Sequence, residues 1–81
     1  MVKTTKYFDF TKGREDRKII KQEWIVSAME HPIDEEIQKD GRIRRWTWVK
    51  EESKFLRVIL LEDAKTVHNA FFDRSYKRKK D

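Results

Sequence analysis

The stretch Asp40 to Leu61, DGRIRRWTWVKEESKFLRVILL, decides the fold. Asp40-Gly41 is a hairpin signal, because both residues tolerate the positive φ that a type I′ turn requires. Arg42 to Lys50 then reads as a strand. Glu51-Glu52-Ser53-Lys54 is a polar turn. Phe55 to Leu61 is an apolar strand interrupted only by Arg57. Two strands joined by a short polar turn form an antiparallel pair.

Working outward, Ile33 to Lys39 is a weak strand before the hairpin. Asp63-Ala64 permits a second tight turn, and Thr66 to Phe72 closes the sheet. On the N-terminal side, Arg14 to Glu30 reads as one helix. Ile20, Trp24 and Ala28 recur at i, i+4 spacing, and Ile25 and Met29 widen the stripe. His31-Pro32 ends it, since a residue before proline disfavours the helical region; His31 itself suits a helix C-terminus. Tyr7-Phe8-Asp9-Phe10 is a short alternating strand candidate. The expected fold class is α+β: one main amphipathic helix packed on an antiparallel meander of four to five strands. Residues 1–81 form a single domain, with 75–81 a basic tail.

Side chains alternate across a strand, so turn lengths assign the faces. With a four-residue loop at Glu51–Lys54, Trp48 opposes Arg57 and Trp46 opposes Ile59. With a two-residue loop at Asp63-Ala64, Ile59 opposes His68 and Arg57 opposes Ala70. One face then collects Val49, Leu56, Val58, Leu60, Val67 and Phe71 under the helix. The other collects Arg44, Trp46, Trp48, Arg57, Ile59, His68 and Phe72.

Eighty-one residues, no cysteine and ten aromatic rings describe a small core built without disulfides. Twenty basic residues against fifteen acidic give a net charge of +5. That favours an anionic partner without choosing among nucleic acid, acidic protein and membrane surface. No apolar run approaches the roughly 20 residues that span a bilayer, and Met1-Val-Lys-Thr-Thr is no signal peptide. A cytoplasmic location and no membrane partner are therefore expected. Arg74, Lys77, Arg78, Lys79 and Lys80 stand against Asp81 at the C-terminus, a net of +4. Such a tail is either a solvated end or an arm that steers phosphates.

The second face mixes cations with large rings, as single-stranded RNA recognition does when bases stack on aromatics and arginine holds phosphate. Arg44, Trp46, Trp48, Lys77 and Arg78 are the candidate RNA contacts. The tryptophans could equally form a second small core. Arg57 in the middle of an apolar strand demands either a groove or a carboxylate partner. Metal-independent RNA cleavage needs an acid, a base and a cation for the charge on phosphorus. His68, Tyr76, Arg57 and Arg74 could fill those roles, because an imidazole exchanges protons near neutrality. Two distant histidines without cysteine do not suggest a zinc site, and Gly13 and Gly41 build no phosphate loop. No cofactor is expected.

A short N-terminal strand, a helix containing Trp24-Ile25, then Asp40-Gly41-Arg42-Ile43, Phe55-Leu56-Arg57-Val58-Ile59 and Thr66-Val67-His68-Asn69-Ala70-Phe71-Phe72-Asp73-Arg74 resemble a known layout. It is that of small bacterial proteins near the BrnT branch of the RelE/ParE-like toxin superfamily. BrnT-like chains carry more helix before the sheet than this one. The resemblance implies a compact α+β protein, the toxin of a type II toxin–antitoxin pair. Such a toxin cleaves mRNA without metal and is held inactive by a cognate antitoxin protein. It also implies active groups on the sheet and near the C-terminus, which Arg57, His68, Arg74 and Tyr76 match by position. ParE-like members inhibit a DNA topoisomerase instead. A non-catalytic RNA- or protein-binding module using the same face remains the alternative, and oligomeric state stays open.

Overall fold

A computed structural model describes residues 2–77. Its elements, in chain order, are β1 (Lys3–Thr4), α1 (Lys6–Thr11), α2 (Glu15–Lys18), α3 (Gln22–Glu30), β2 (Asp34–Ile37), β3 (Ile43–Val49), β4 (Lys54–Leu60) and β5 (Thr66–Phe72). The five strands form one mixed sheet in the order β1-β5-β4-β3-β2. β2 to β5 make the expected antiparallel meander. β1 adds a parallel pair, Lys3 with Thr66 and Thr4 with Val67.

α3 lies on one face of this sheet. Trp24, Ile25 and Ala28 meet Val49, Leu56, Val58, Leu60, Val67 and Ala70, and Phe8 of α1 joins the same core. The 3.6-residue spacing of the helix stripe and the two-residue spacing of the strands both point inward here. The helix ends as expected, with His31 as its C-cap.

Two expectations before α3 are corrected. Tyr7 to Phe10 is helical, not extended. Thr5 caps the helix by accepting from the Phe8 backbone N–H at 3.1 Å. Phe8 and Thr11, three apart, are buried while Tyr7 and Phe10 face outward. Hydrophobic alternation over four residues mimicked a strand. Arg14–Glu30 is not one helix either. The chain breaks after α2, and Lys21 adopts an extended conformation as the N-cap of α3. Consecutive β-branched Ile19 and Ile20 weaken a helix at this point.

The hairpins follow their own turn chemistry. Gly41 has φ of 90° and Asp40 is not in the positive-φ region. Gly41 N donates to Gln38 O, and Gln38 N donates to Arg42 O. This is a three-residue loop with glycine at its left-handed position, not a type I′ turn. The β3–β4 loop is Lys50–Ser53, one residue earlier than expected, so the register moves by two. Trp46 opposes Arg57 and Trp48 opposes Phe55. A shift of two preserves every face. In the last hairpin, Leu61 N donates to Thr66 O and closes a four-residue loop. The expected register holds at Leu60–Val67, and then a bulge at His68 shifts it by one. Arg57 therefore opposes Phe71, and Phe71 and Phe72 exchange faces relative to expectation.

A Cβ on Gly41 would collide with the Glu62 side chain and would have to occupy a left-handed backbone. Gly41→Ala is expected to destabilise the protein by about 1 kcal/mol or more. Urea denaturation measures this as a lower midpoint at unchanged slope; a midpoint equal to the wild type would contradict the loop geometry.

Candidate functional site

The sheet face opposite α3 carries Arg44, Trp46 and Trp48 from β3, Phe55, Arg57 and Ile59 from β4, and Asn69 and Phe71 from β5. Its organising group is Asp73, immediately after β5. The Asp73 backbone N–H donates to Phe55 O at 2.9 Å, extending the ladder by one bond. Its carboxylate turns onto the face and accepts five hydrogen bonds. Oδ2 receives Trp46 Nε1–H at 3.0 Å and Arg57 Nε–H and Nη2–H at 2.9 and 2.7 Å. Oδ1 receives the Ser75 N–H at 3.0 Å and hydroxyl at 2.7 Å.

The pair is shielded from water: the Asp73 side chain is 4% exposed and that of Arg57 18%. Burial alone would raise the Asp73 pKa. The bonds from Ser75, Trp46 and Arg57, with the charge of Arg57, outweigh burial and hold the carboxyl well below the usual range. The Arg57 guanidinium also lies over the Phe71 ring at 4.8 Å and the Trp46 ring at 5.7 Å.

Ser75 closes an Asx-type turn on Asp73, which brings the following residue back over the sheet. Tyr76 stacks on Trp46 with ring centroids 4.9 Å apart and meets Phe55 edge-on at 4.9 Å. Its hydroxyl donates to Asp34 Oδ2 at 3.0 Å. Trp46 is thus sealed at 4% exposure, whereas Trp48, edge-on to Phe55, remains 47% exposed. Arg44 pairs with Glu36 at 3.4 Å. At the other side of the face, Arg17 reaches from α2 to Asn69 Oδ1 at 2.7 Å and sits 5.4 Å from Phe71. Phe71 therefore has two guanidinium groups near its ring.

His68 belongs to another neighbourhood. It is the extra residue of the bulge, its Nδ1 lies 3.1 Å from Thr5 Oγ1, and its ring stacks on Tyr7 at 4.9 Å. Burial, then the nearby Arg42 charge, lowers its pKa from 6.5, with Asp40 opposing. Arg57 pairs with Phe71, three positions along β5 and roughly 10 Å away.

The nine expected site residues therefore divide. Arg57, Trp46 and Tyr76 converge around Asp73. Arg44 and Trp48 share their face. His68 sits beside the cap of α1. Arg74 and Lys77 are exposed, and Arg78 lies outside the described residues. Ser75 and Tyr76, expected to open a basic tail, are instead bonded to the sheet domain. Sequence reasoning missed Asp73, Asp34, Arg17 and Phe71. The Asp-x-Ser spacing of Asp73 and Ser75 was the available signal, since that pattern forms local side-chain turns. No family model, curated protein or solved structure matches this chain.

Arg57→Met should strand a buried carboxylate and cost about 3–5 kcal/mol, while Arg57→Lys, which keeps a cation beside Asp73, should cost less. Thermal and urea melts of the two variants decide; Arg57→Met as stable as wild type would refute the buried pair. The His68 ring protons should titrate in an NMR series below 6.5, and Arg42→Gln should move that midpoint upward. The contribution of His68 to stability is complete above 6.5 and lost as pH falls through the lower folded value. A midpoint at or above 6.5 would contradict the burial of the ring.

Proposed function

We propose that the protein binds RNA on the sheet face opposite α3, as the toxin of a type II pair whose antitoxin blocks that face. The observation that carries the reading is the interleaving of rings and cations there. Trp48 offers an exposed stacking surface against Phe55, Arg44 stands on the same strand, and Phe71 has Arg17 and Arg57 near its ring. Base stacking on such rings is tolerant of sequence, and the net charge of +5 favours the polyanion. The resemblance to RelE/ParE-like toxins supports the same direction.

The geometry favours holding RNA over cutting it. Arg57 is neutralised by Asp73, so it offers a ring-flanking plane more than a free phosphate charge. A general base must come within about 3 Å of the proton it removes. His68 is bonded at Thr5, roughly 10 Å along β5 from the register of Arg57. The side-chain arrangement accordingly supports RNA binding on this face more than a cleavage step routed through His68 and Arg57.

Titration with single-stranded RNA, followed by tryptophan fluorescence, tests it. Trp48→Ala should weaken binding by about 1–3 kcal/mol, roughly five- to 150-fold. Arg44→Ala should reduce the log–log salt slope by about 0.7. His68→Gln should leave affinity within about twofold of the wild type, a change too small to signify a lost contact. The same Trp48 variant should relieve growth arrest on expression in bacteria. Undetectable binding at low salt, or equal binding by Trp48→Ala, would overturn the proposal.

A further inference from the structure

The Asn69 end of the sheet face holds hydrogen-bond donors that the fold leaves unused. β1 pairs with β5 only at Thr66 and Val67, so beyond them the outer edge of β5 has no partner strand. The Asp73 N–H bonds Phe55 O of β4, so the Ala70 N–H, three residues earlier, faces that outer edge. Asn69 Oδ1 accepts it at 3.0 Å and accepts Arg17 Nη1–H at 2.7 Å. Both acceptor sites of the amide oxygen are therefore filled, and the two donors fix which way the amide points. Asn69 Nδ2 and Arg17 Nη2 carry hydrogens with no protein partner among the described residues. Neither atom is buried; the buried unpartnered donor of Arg17 is Nε.

The charge at this end is mostly offset. Asp73 neutralises Arg57, and the Asp16 carboxylate stands 3.7 Å from Arg17 Nε. The Asp73 carboxylate is itself taken up by its five donors at 4% exposure. Flat groups with spare donors and little net charge are left beside the Phe71 ring. They suit the acceptor edge of a neutral planar ring more than a phosphate, which needs an unbalanced cation.

We infer that this end of the face reads a guanine, an inference that rests on the RNA reading above and deepens it. Guanine presents two neighbouring acceptors, O6 and N7, on one edge. Asn69 Nδ2–H and Arg17 Nη2–H donate to them, and the base lies against the guanidinium planes and ring around Phe71. Adenine turns its N6 amino group, and cytosine its N4 amino group, toward the same donors, which leaves a donor facing a donor. Uracil offers O4 alone on that edge. The face thus joins a sequence-tolerant stacking position at Trp48 to a base-selective one at Asn69.

Fluorescence titration of the full chain with a short oligouridine carrying one central guanosine, adenosine, inosine or 7-deazaguanosine tests this. The guanosine oligomer should bind at least about fivefold more tightly than the adenosine one. Inosine, which keeps O6 and N7, should match guanosine, and 7-deazaguanosine, which lacks N7, should fall toward adenosine. Asn69→Asp keeps an oxygen for Arg17 and Ala70 and removes the amide hydrogens. Its added charge weakens every oligomer, so the guanosine-to-adenosine ratio is read, and it should drop to within about twofold of unity. If that variant fails to fold, the 7-deazaguanosine comparison on the wild type decides. Equal binding of guanosine and adenosine by the wild type would overturn the inference. So would 7-deazaguanosine binding like guanosine, or a folded Asn69→Asp that keeps the preference. Trp48-dependent binding without a guanosine preference sinks this inference alone, whereas no binding of any oligomer sinks the RNA reading with it.

Discussion

A carboxylate buried beside β4 governs this molecule. Asp73 cannot lose its water without replacement, and five donors replace it. Two of these bonds, from Ser75, bend the chain back. Three, from Trp46 and Arg57, tie that bend to the centre of the sheet. The consequence is spatial. Tyr76 is delivered onto Trp46, which becomes part of a second small core, while Trp48 two residues along the same strand stays open. The face opposite α3 is thereby split into a sealed half and an accessible half.

The architecture was largely legible because it rests on periodicity. Leu56, Val58 and Leu60 alternate, Trp24 and Ala28 recur at helical spacing, and both patterns face one core. The β3–β4 register was off by two, which a strand absorbs without changing faces. The bulge at His68 was not legible, and it removed His68 from the cluster assigned to it. α1 was misread because Tyr7 and Phe10 are exposed rings in a helix whose inward pair is Phe8 and Thr11. At the site, the need of Arg57 for a carboxylate could be read from its apolar strand. That the partner was Asp73 depended on how the chain turns after β5, which no local hydrophobic pattern encodes.

These features bear on function together. A toxin-like reading from the sequence asks for a convergent imidazole, guanidinium and phenol. The fold gives the guanidinium and phenol one neighbourhood and the imidazole another, beside the Thr5 hydroxyl that caps α1. What survives on the sheet is a surface of rings and planar cations suited to stacking. Arg17 extends that surface from α2, since its guanidinium bonds Asn69 and lies near the Phe71 ring. Among the described residues, no helix is long and apolar enough to cross a membrane.

The carboxyl-carbon chemical shift of Asp73, followed by NMR as pH is lowered, tests the central constraint most directly. With Arg57, Trp46 and Ser75 as donors, the ionised form persists well below the ordinary value of 3.8. The stability it contributes is complete above 3.8 and disappears as pH falls through the lower folded value. The Trp46 indole N–H and the Arg57 Nε–H should shift with the same depressed midpoint, because both bond the titrating oxygen. A midpoint at or above 3.8, or indole and guanidinium signals that ignore the titration, would contradict a sheet face organised by Asp73.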